Sequence, residues 1–418
     1  MKRNLLYSLL LLSSALVGFT SCNDDEFGDT IFPEVSDKLD PTSATFPLDT
    51  FLMANYLIPY NMRFDYKMSD TEVNMEYNLI PASYEKSVDM AVLTKYLWYD
   101  VYEAIIDRAT GDARDEFFMK RYGPKMIMLV GSPAINEASG TEERGLAEGG
   151  VKITLYAVNE LDVNNMNDLN DLFFRTMHHE FNHILNQSVA MPDDFQEISS
   201  GSYDPMNWQT KEDIVARTSG FITAYASKDY SEDFVEVIAN YVVSTPEQWE
   251  RYLLEATRGY EEVDVNASEI TQARNDGTFI MITETTNDVT GRPSVYKVLR
   301  YTVERDENGT PLRDDEGNLI YVDSDALDGR ALIEQKLAKC REYLMTYFAI
   351  DMDDLRREVL GKMYVVDADG NPVMQDDAYI NKLLQPTVSD PTVTVIDSLR
   401  TQVTRFEDYA EQLQNQQQ

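Results

Sequence analysis

The chain has 418 residues, 43% of them hydrophobic, which is enough for one large globular domain or two to three smaller ones with an apolar core. Its 73 acidic residues outnumber 36 basic ones, so the formal net charge is −37. Such a surface repels nucleic acid phosphates and anionic lipids, which argues against a nucleic-acid-binding function.

The N-terminal segment indicates export. Two basic residues precede an apolar run at residues 5–19, and small residues follow before Cys22, as in a signal peptide. Residues 1–21 resemble a bacterial lipoprotein signal peptide, which implies that Cys22 carries the lipid anchor. The acidic run 23–26 resembles export signals of outer-membrane lipoproteins. This resemblance implies an outer-membrane lipoprotein exposed at the cell surface, with a periplasm-facing position as the alternative.

The rest of the chain divides by composition into four regions. Residues 22–50 are acidic and proline-containing and predict a tether. Residues 51–257 predict a globular region of mixed helices and strands that contains all three histidines of the chain. Residues 258–326 alternate in β-type runs and predict a β-rich insertion. Residues 327–418 predict a helical C-terminal region with a hairpin, whose DADGN stretch we interpret as a turn because it lacks further calcium ligands.

Hydrophobic periodicity predicts the elements of residues 51–257. Strands are expected at 58–68, 125–131 and 151–158, and helices at 88–109, 169–187 and 232–244. A polar loop is expected up to residue 218. Thr245, Pro246 and Gln248 predict the start of a further helix as its cap, first residue and capping-box partner.

The three histidines of the chain all lie within residues 178–183, HHEFNH. His179 and His183 are four residues apart, so on a helix they share one face and can bind one zinc ion. Glu180, the second letter of this H-E-x-x-H pattern, can accept a proton from the attacking water. His178 points about 100° away from His179. We therefore expect it on the helix surface or behind the ligands.

A catalytic zinc site requires a third protein ligand. No histidine remains, so a carboxylate has to supply it. Glu232 and Glu236 lie four residues apart in a predicted helix, so that one can bind zinc while the other orients a histidine. Cys340 lies in an amphipathic helical pattern. We interpret it as a core or surface residue and not as a nucleophile.

The segment E-D-F-V-E, residues 232–236, resembles the E-F-F-A-E segment of the anthrax lethal factor branch of the gluzincin metallopeptidases. This resemblance implies that Glu232 is the zinc ligand and that Glu236 supports a histidine ligand, with Asp233 as a weaker alternative ligand. It also implies that Tyr225, seven residues before Glu232, hydrogen-bonds the developing oxyanion. Tyr230 is the competing tyrosine.

The order of the signal segment, residues 48–68, HHEFNH and SEDFVE resembles the zinc-binding metallopeptidase lipoproteins, in particular the substrate import-associated zinc metallohydrolase lipoproteins. The resemblance implies an α+β, gluzincin-like domain, with a small mixed sheet, the HExxH helix, a helical subdomain and the β-rich insertion. It implies that residues 51–257 are the metallopeptidase-like catalytic region. It also implies Zn²⁺ as cofactor. The partners would be an outer-membrane TonB-dependent transporter and its partner lipoprotein.

The expected function is that of a zinc-dependent metallopeptidase acting on a peptide or protein substrate. Two alternatives stay open: a zinc hydrolase acting on a non-peptide amide, and a non-catalytic zinc-binding accessory lipoprotein. We also expect that strand 151–158 either pairs with an extended substrate or is an ordinary sheet strand.

Overall fold

The computed structural model describes residues 39–68, 77–110, 118–135, 142–143, 145–148, 151–266, 269–271, 277–286, 293–323, 328–376 and 378–416. The predicted signal peptide, Cys22 and residues 22–38 of the predicted tether lie outside these residues. Among the described helices, none combines the length and apolar composition that a membrane span requires.

The fold is α+β, as predicted. Its helices are α1 Phe46–Leu52, α2 Tyr84–Thr94, α3 Asp100–Thr110, α4 Phe118–Tyr122, α5 Met166–Leu169, α6 Arg175–Ser188, α7 Asp193–Ile198, α8 Asp213–Thr218, α9 Tyr230–Val243, α10 Pro246–Glu255, α11 Gly329–Phe348, α12 Met352–Met363 and α13 Val395–Gln416. Its strands are β1 Arg63–Asp65, β2 Met126–Leu129, β3 Ala134–Ile135, β4 Glu142–Glu143, β5 Gly145–Glu148, β6 Lys152–Leu155, β7 Tyr260–Val265, β8 Phe279–Thr286, β9 Pro293–Tyr301, β10 Met374–Gln375 and β11 Ala378–Tyr379.

The catalytic region contains a small mixed sheet with the order β1-β2-β6-β5. β1, β2 and β6 are parallel, and β5 pairs antiparallel with β6. β6 therefore has a strand on both sides, and its Ile153 and Leu155 are fully buried. Of the two alternatives for residues 151–158, the ordinary sheet strand is confirmed and pairing with a substrate is not, because the backbone groups of β6 are already used within the sheet.

Two predictions near the start of the fold are corrected. The tether was placed up to residue 50, but α1 begins at Phe46, whose side chain is buried together with Leu48. The strand predicted at 58–68 is confined to β1. Before it, the chain continues α1 through a π-helical turn to Tyr60, and this wider turn accommodates Pro59, which has no N–H to donate.

The helix that contains the histidines is built on an aromatic core. α5 leads through a π-helical turn, Asn170–Phe174, directly into α6. Phe181 of α6 packs edge-to-face on Trp98 and Tyr102, with ring centroids 5.3 and 5.0 Å away. The apolar side of α6 is thus buried, and its polar edge faces α9, which packs against it.

The segment predicted as a polar loop contains two short helices, α7 and α8, which are too short to leave a clear helical period in the sequence. The helix predicted after residue 245 is α10. Its capping box between Thr245 and Gln248 is present as predicted. Cys340 on α11 is fully buried against the Phe234 carbonyl, so it is a core residue.

The predicted β-rich segment forms an antiparallel sheet of order β7-β9-β8. The predicted DADGN turn is a hairpin turn, because Oδ1 of Asp367 accepts hydrogen bonds from the backbone N–H groups of Asp369 and Asn371. Gly370 has a φ of 87°, which glycine adopts without steric cost.

The C-terminal helix α13 packs back on α1. Its Arg400 donates hydrogen bonds from Nε and Nη2 to the two carboxylate oxygens of Asp89 in α2, at 2.7 and 2.9 Å.

Candidate metal centre

The two histidines of the pattern meet at one point on α6. The Nε2 atoms of His179 and His183 lie 3.2 Å apart, and the ring centroids are 4.8 Å apart. His179 is 7% exposed and His183 is more open to solvent. The helical spacing of four residues therefore produces the shared face that the sequence predicts.

Glu232 reaches the same point from α9. Its Oε2 atom lies 3.1 Å from Nε2 of His183 and 3.3 Å from Nε2 of His179. Glu232 occupies the first turn of α9, where Asp229 caps the helix by accepting hydrogen bonds from the N–H groups of Ser231 and Glu232. The structure thus brings His179, His183 and Glu232 together, although 49 residues separate the last two in sequence.

These three atoms fit a zinc ion. Nitrogen and oxygen ligands of tetrahedral zinc lie at about 2.0–2.1 Å from the metal, which places any two of them about 3.3 Å apart. The three measured separations, 3.1, 3.2 and 3.3 Å, agree with this geometry. The two nearby carboxylates, Glu232 and Glu236, also favour a cation at this point. Burial lowers the pKa of His179, but the two carboxylates raise this pKa to about 10.

Glu236 lies behind His179. Its Oε1 atom is 2.8 Å from Nδ1 of His179, and its Oε2 atom accepts hydrogen bonds from Thr223 (2.6 Å) and Asn240 (3.2 Å). Burial raises the pKa of Glu236, but the hydrogen bond and charge of His179 lower it to about 2. The ionised carboxylate therefore accepts a hydrogen bond from the Nδ1–H group of His179, so that Nε2 is the ring nitrogen available to a metal.

Glu180 borders the two imidazoles. It is 8% exposed, and a carboxylate oxygen lies within 4.8 Å of a ring nitrogen of both His179 and His183. A carboxylate at this distance can exchange a proton with a water molecule placed between it and a metal held by the histidines.

Tyr225 lies beside the same cluster, in a short helical turn before α9. Its ring centroid is 5.9 Å from that of His179 and 4.8 Å from that of Trp208. Burial, followed by the charge of Glu232, raises the pKa of Tyr225 well above its ordinary value, so the hydroxyl keeps its proton. Tyr230, the competing candidate, is 40% exposed at the first position of α9.

The alternative ligand Asp233 is excluded by its surroundings. Its side chain is fully buried, with Oδ2 2.7 Å from Nζ of Lys336 and 3.0 Å from the Tyr203 hydroxyl. Asp233 follows Glu232 in the helix and so points about 100° away from it. Its carboxylate forms a buried ion pair with α11 and does not belong to the histidine cluster.

His178 is neither a ligand nor a surface residue. It is fully buried, with Nδ1 2.9 Å from the Tyr102 hydroxyl. Burial lowers its pKa to about 3, so the imidazole is neutral in the core. The expectation of a helix-surface position is wrong, because the aromatic core of α6 extends over this part of the helix.

Three further residues at the site were not predicted. Thr223 bonds Glu236, Trp208 packs on Tyr225, and Lys228 donates to Glu232. The spacing of four residues between Lys228 and Glu232 could have indicated a helical ion pair. The sequence offered no signal for Thr223 or Trp208, since Thr223 lies in an irregular segment and Trp208 in a single 3-10 turn.

Comparison with known proteins indicates the family of the chain. A family model described as "Putative zinc-binding metallo-peptidase" matches residues 42–353. The chain is also similar to a solved crystal structure from Bacteroides caccae ATCC 43185, named a putative zinc-binding metallo-peptidase. The identity is 27% and the TM-score is 0.50, over 76% of this chain and 91% of that chain. No curated protein matches. Since the family model spans most of the sequence, including both histidines and Glu232, the chain belongs to this family of zinc-binding metallopeptidases.

Proposed function

We propose that the chain is a zinc-dependent peptidase that hydrolyses peptide amide bonds. The observation that carries the proposal is the position of Glu180. Its carboxylate lies within 4.8 Å of both imidazoles, whereas a zinc site with a purely structural role needs no such base.

His179, His183 and Glu232 would hold the zinc ion. Bound zinc supplies Lewis acidity, which polarises a carbonyl group and acidifies water. Glu180 accepts the proton of the attacking water and passes it to the leaving amine. The Tyr225 hydroxyl donates a hydrogen bond to the oxyanion that develops on the carbonyl. Glu236 holds the ring of His179 in the orientation that the metal requires.

The sheet offers a place for an extended substrate. Within the part of the chain that the structure describes, β5 lies at the edge of the mixed sheet, and it packs near α6. An edge strand presents unpaired backbone N–H and C=O groups, to which a peptide can add as a further strand. This favours a peptide over a non-peptide amide as the substrate.

We further propose that the mature protein is anchored through a lipid on Cys22 at the outer membrane, exposed at the cell surface, and that it works with a TonB-dependent transporter and its partner lipoprotein. This proposal rests on the signal segment and on the family resemblance. Labelling of growing cells with a tagged fatty acid tests the anchor. The wild type should incorporate the label and Cys22→Ser should not, and equal labelling of both would contradict the anchor.

The peptidase proposal is tested with the soluble protein that begins at Asn23. Wild type, Glu180→Gln and, as a matched control, Glu197→Gln are compared in zinc content and in cleavage of casein and a peptide library. Glu197 is an exposed carboxylate on α7. We expect about one zinc in all three proteins, and cleavage by the wild type and Glu197→Gln only.

Equal cleavage by Glu180→Gln would contradict the role of Glu180. Zinc in all proteins without cleavage in any would favour a non-peptide substrate or an accessory zinc-binding role. Absence of zinc from the wild type after reconstitution would contradict the metal site itself.

A further inference from the structure

Lys228 touches two residues of the candidate centre at once. Its Nζ atom lies 2.8 Å from Oε1 of Glu232 and 3.3 Å from the hydroxyl oxygen of Tyr225. The side chain is 35% exposed, while that of Glu232 is 11% exposed. Lys228 directly precedes Asp229, the cap of α9, so the start of the helix fixes its backbone.

The two carboxylate oxygens of Glu232 therefore have different partners. Oε2 faces Nε2 of His183 and of His179, at 3.1 and 3.3 Å, whereas Oε1 faces Lys228. A carboxylate with both oxygens free can bind a metal through one or both of them. Here Oε1 is already engaged by a cation, and a single oxygen is left for the metal.

We propose that Lys228 is a positioning residue that makes Glu232 a one-oxygen zinc ligand and holds the Tyr225 hydroxyl beside it. A catalytic zinc has to keep a position open for water or substrate, and a second carboxylate oxygen would occupy that position. Lys228 also withdraws negative charge from Glu232, which preserves the Lewis acidity of the metal. The effect on catalysis rests on the proposed function, whereas the effect on zinc coordination does not.

The chain offers a matched control for a lysine–carboxylate ion pair away from the centre. Lys339 on α11 pairs with Asp194 of α7 at 2.5 Å, and its side chain is 29% exposed, close to the value for Lys228. Asp194 is 52% exposed and is not part of the candidate centre. Lys339→Met therefore shows the effect of losing a partly exposed ion pair that is not part of the candidate centre.

The experiment compares wild type, Lys228→Met, Lys228→Arg and Lys339→Met as zinc-loaded soluble proteins. X-ray absorption at the zinc edge counts the nitrogen and oxygen neighbours of the metal, and chelator competition measures zinc affinity. In Lys228→Met we expect about one additional oxygen neighbour and zinc binding at least as tight as in the wild type, because a repelling cation is lost. Lys228→Arg, which can still donate to Oε1, should keep the wild-type coordination.

Peptide cleavage adds a second measurement. Lys228→Met should lower kcat about 10–100-fold, in the range found for residues that orient metal ligands, with KM nearly unchanged, and Lys228→Arg should recover most of the loss. Lys339→Met should resemble the wild type throughout. Unchanged zinc coordination in Lys228→Met would overturn the proposal. If the wild type cleaves no peptide, the proposed function fails, but the coordination measurement still decides the role of Lys228.

Discussion

Nδ1 of His179 lies 2.8 Å from Oε1 of Glu236, and the other oxygen of Glu236 accepts hydrogen bonds from Thr223 and Asn240. Both oxygens of this buried carboxylate therefore have hydrogen-bonding partners, and its position is fixed from three sides. The imidazole of His179 is therefore fixed as well, because the ring can keep its hydrogen bond to Glu236 in one orientation only. Glu236 thus fixes the ring of His179, which is a proposed zinc ligand.

Glu236→Gln should weaken zinc binding about 10–100-fold, because the amide is uncharged and holds the donating Nδ1–H less strongly. Chelator competition measures the affinity. Thr223→Val should cause a smaller loss, since it removes one of the hydrogen bonds to Glu236. Glu250→Gln, a change on the exposed side of α10, should leave the affinity unchanged. Wild-type zinc affinity in Glu236→Gln would show that this carboxylate does not support the metal.

Tyr225→Phe should lower kcat about 10²–10³-fold, because a hydrogen-bond donor to the oxyanion is lost. Zinc content and KM should stay close to wild type, since the ring still packs between His179 and Trp208. Tyr230→Phe is the matched control, because its hydroxyl belongs to a side chain that is 40% exposed. A larger loss in Tyr230→Phe than in Tyr225→Phe would reverse the assignment.

Zinc should stabilise the fold. The ligands come from α6 and α9, which meet at the site only in the folded chain, so the metal binds the native state in preference to the unfolded one. Above the dissociation constant, each tenfold rise in free zinc should add about 1.4 kcal/mol to the free energy of unfolding. Thermal melting of protein stripped with chelator and titrated with zinc measures this. A variant with His179→Ala and His183→Ala should melt at a temperature independent of zinc.

Sequence patterns predicted those features of the centre that depend on residues close together in the chain. His179 and His183 share a face because four residues form about one helical turn, and the same spacing pairs Glu232 with Glu236. The capping box at Thr245 is equally local. The choice between Glu232 and Glu236 as ligand does not depend on residues that are close in sequence. It depends on which carboxylate meets Nε2 and which meets Nδ1 of His179, and only the packing of α9 on α6 decides that.

The failed predictions have the same origin. Residues 58–68 alternate like a strand, yet helix α1 continues into them because its apolar side chains are buried against the rest of the core. His178 was expected at the surface or behind the ligands because no short-range pattern reveals that Tyr102, 76 residues away, covers it. Asp233 stayed open as a ligand because its partner Lys336 lies on a helix of the C-terminal region.

The pair Asp233–Lys336 provides a test of stability. Both side chains are fully buried, 2.7 Å apart, and join α9 to α11. Lys336→Met removes the cation from a buried carboxyl group, which then has to stay charged in the core or take up a proton, so we expect a loss of about 3–5 kcal/mol in the free energy of unfolding. Adding Asp233→Asn should restore most of it, because the amide is neutral and can still accept the hydrogen bond of Tyr203.

Urea denaturation of the zinc-loaded proteins measures these differences. Lys339→Met again serves as the control. It lies three residues further along α11, and its partly exposed ion pair with Asp194 should contribute less than about 1 kcal/mol. Equal losses in Lys336→Met and Lys339→Met would mean that burial of the Asp233 charge carries no penalty. The link between α9 and α11 would then rest on apolar contacts such as Phe234 against Tyr343, whose rings pack edge-to-face at 5.2 Å.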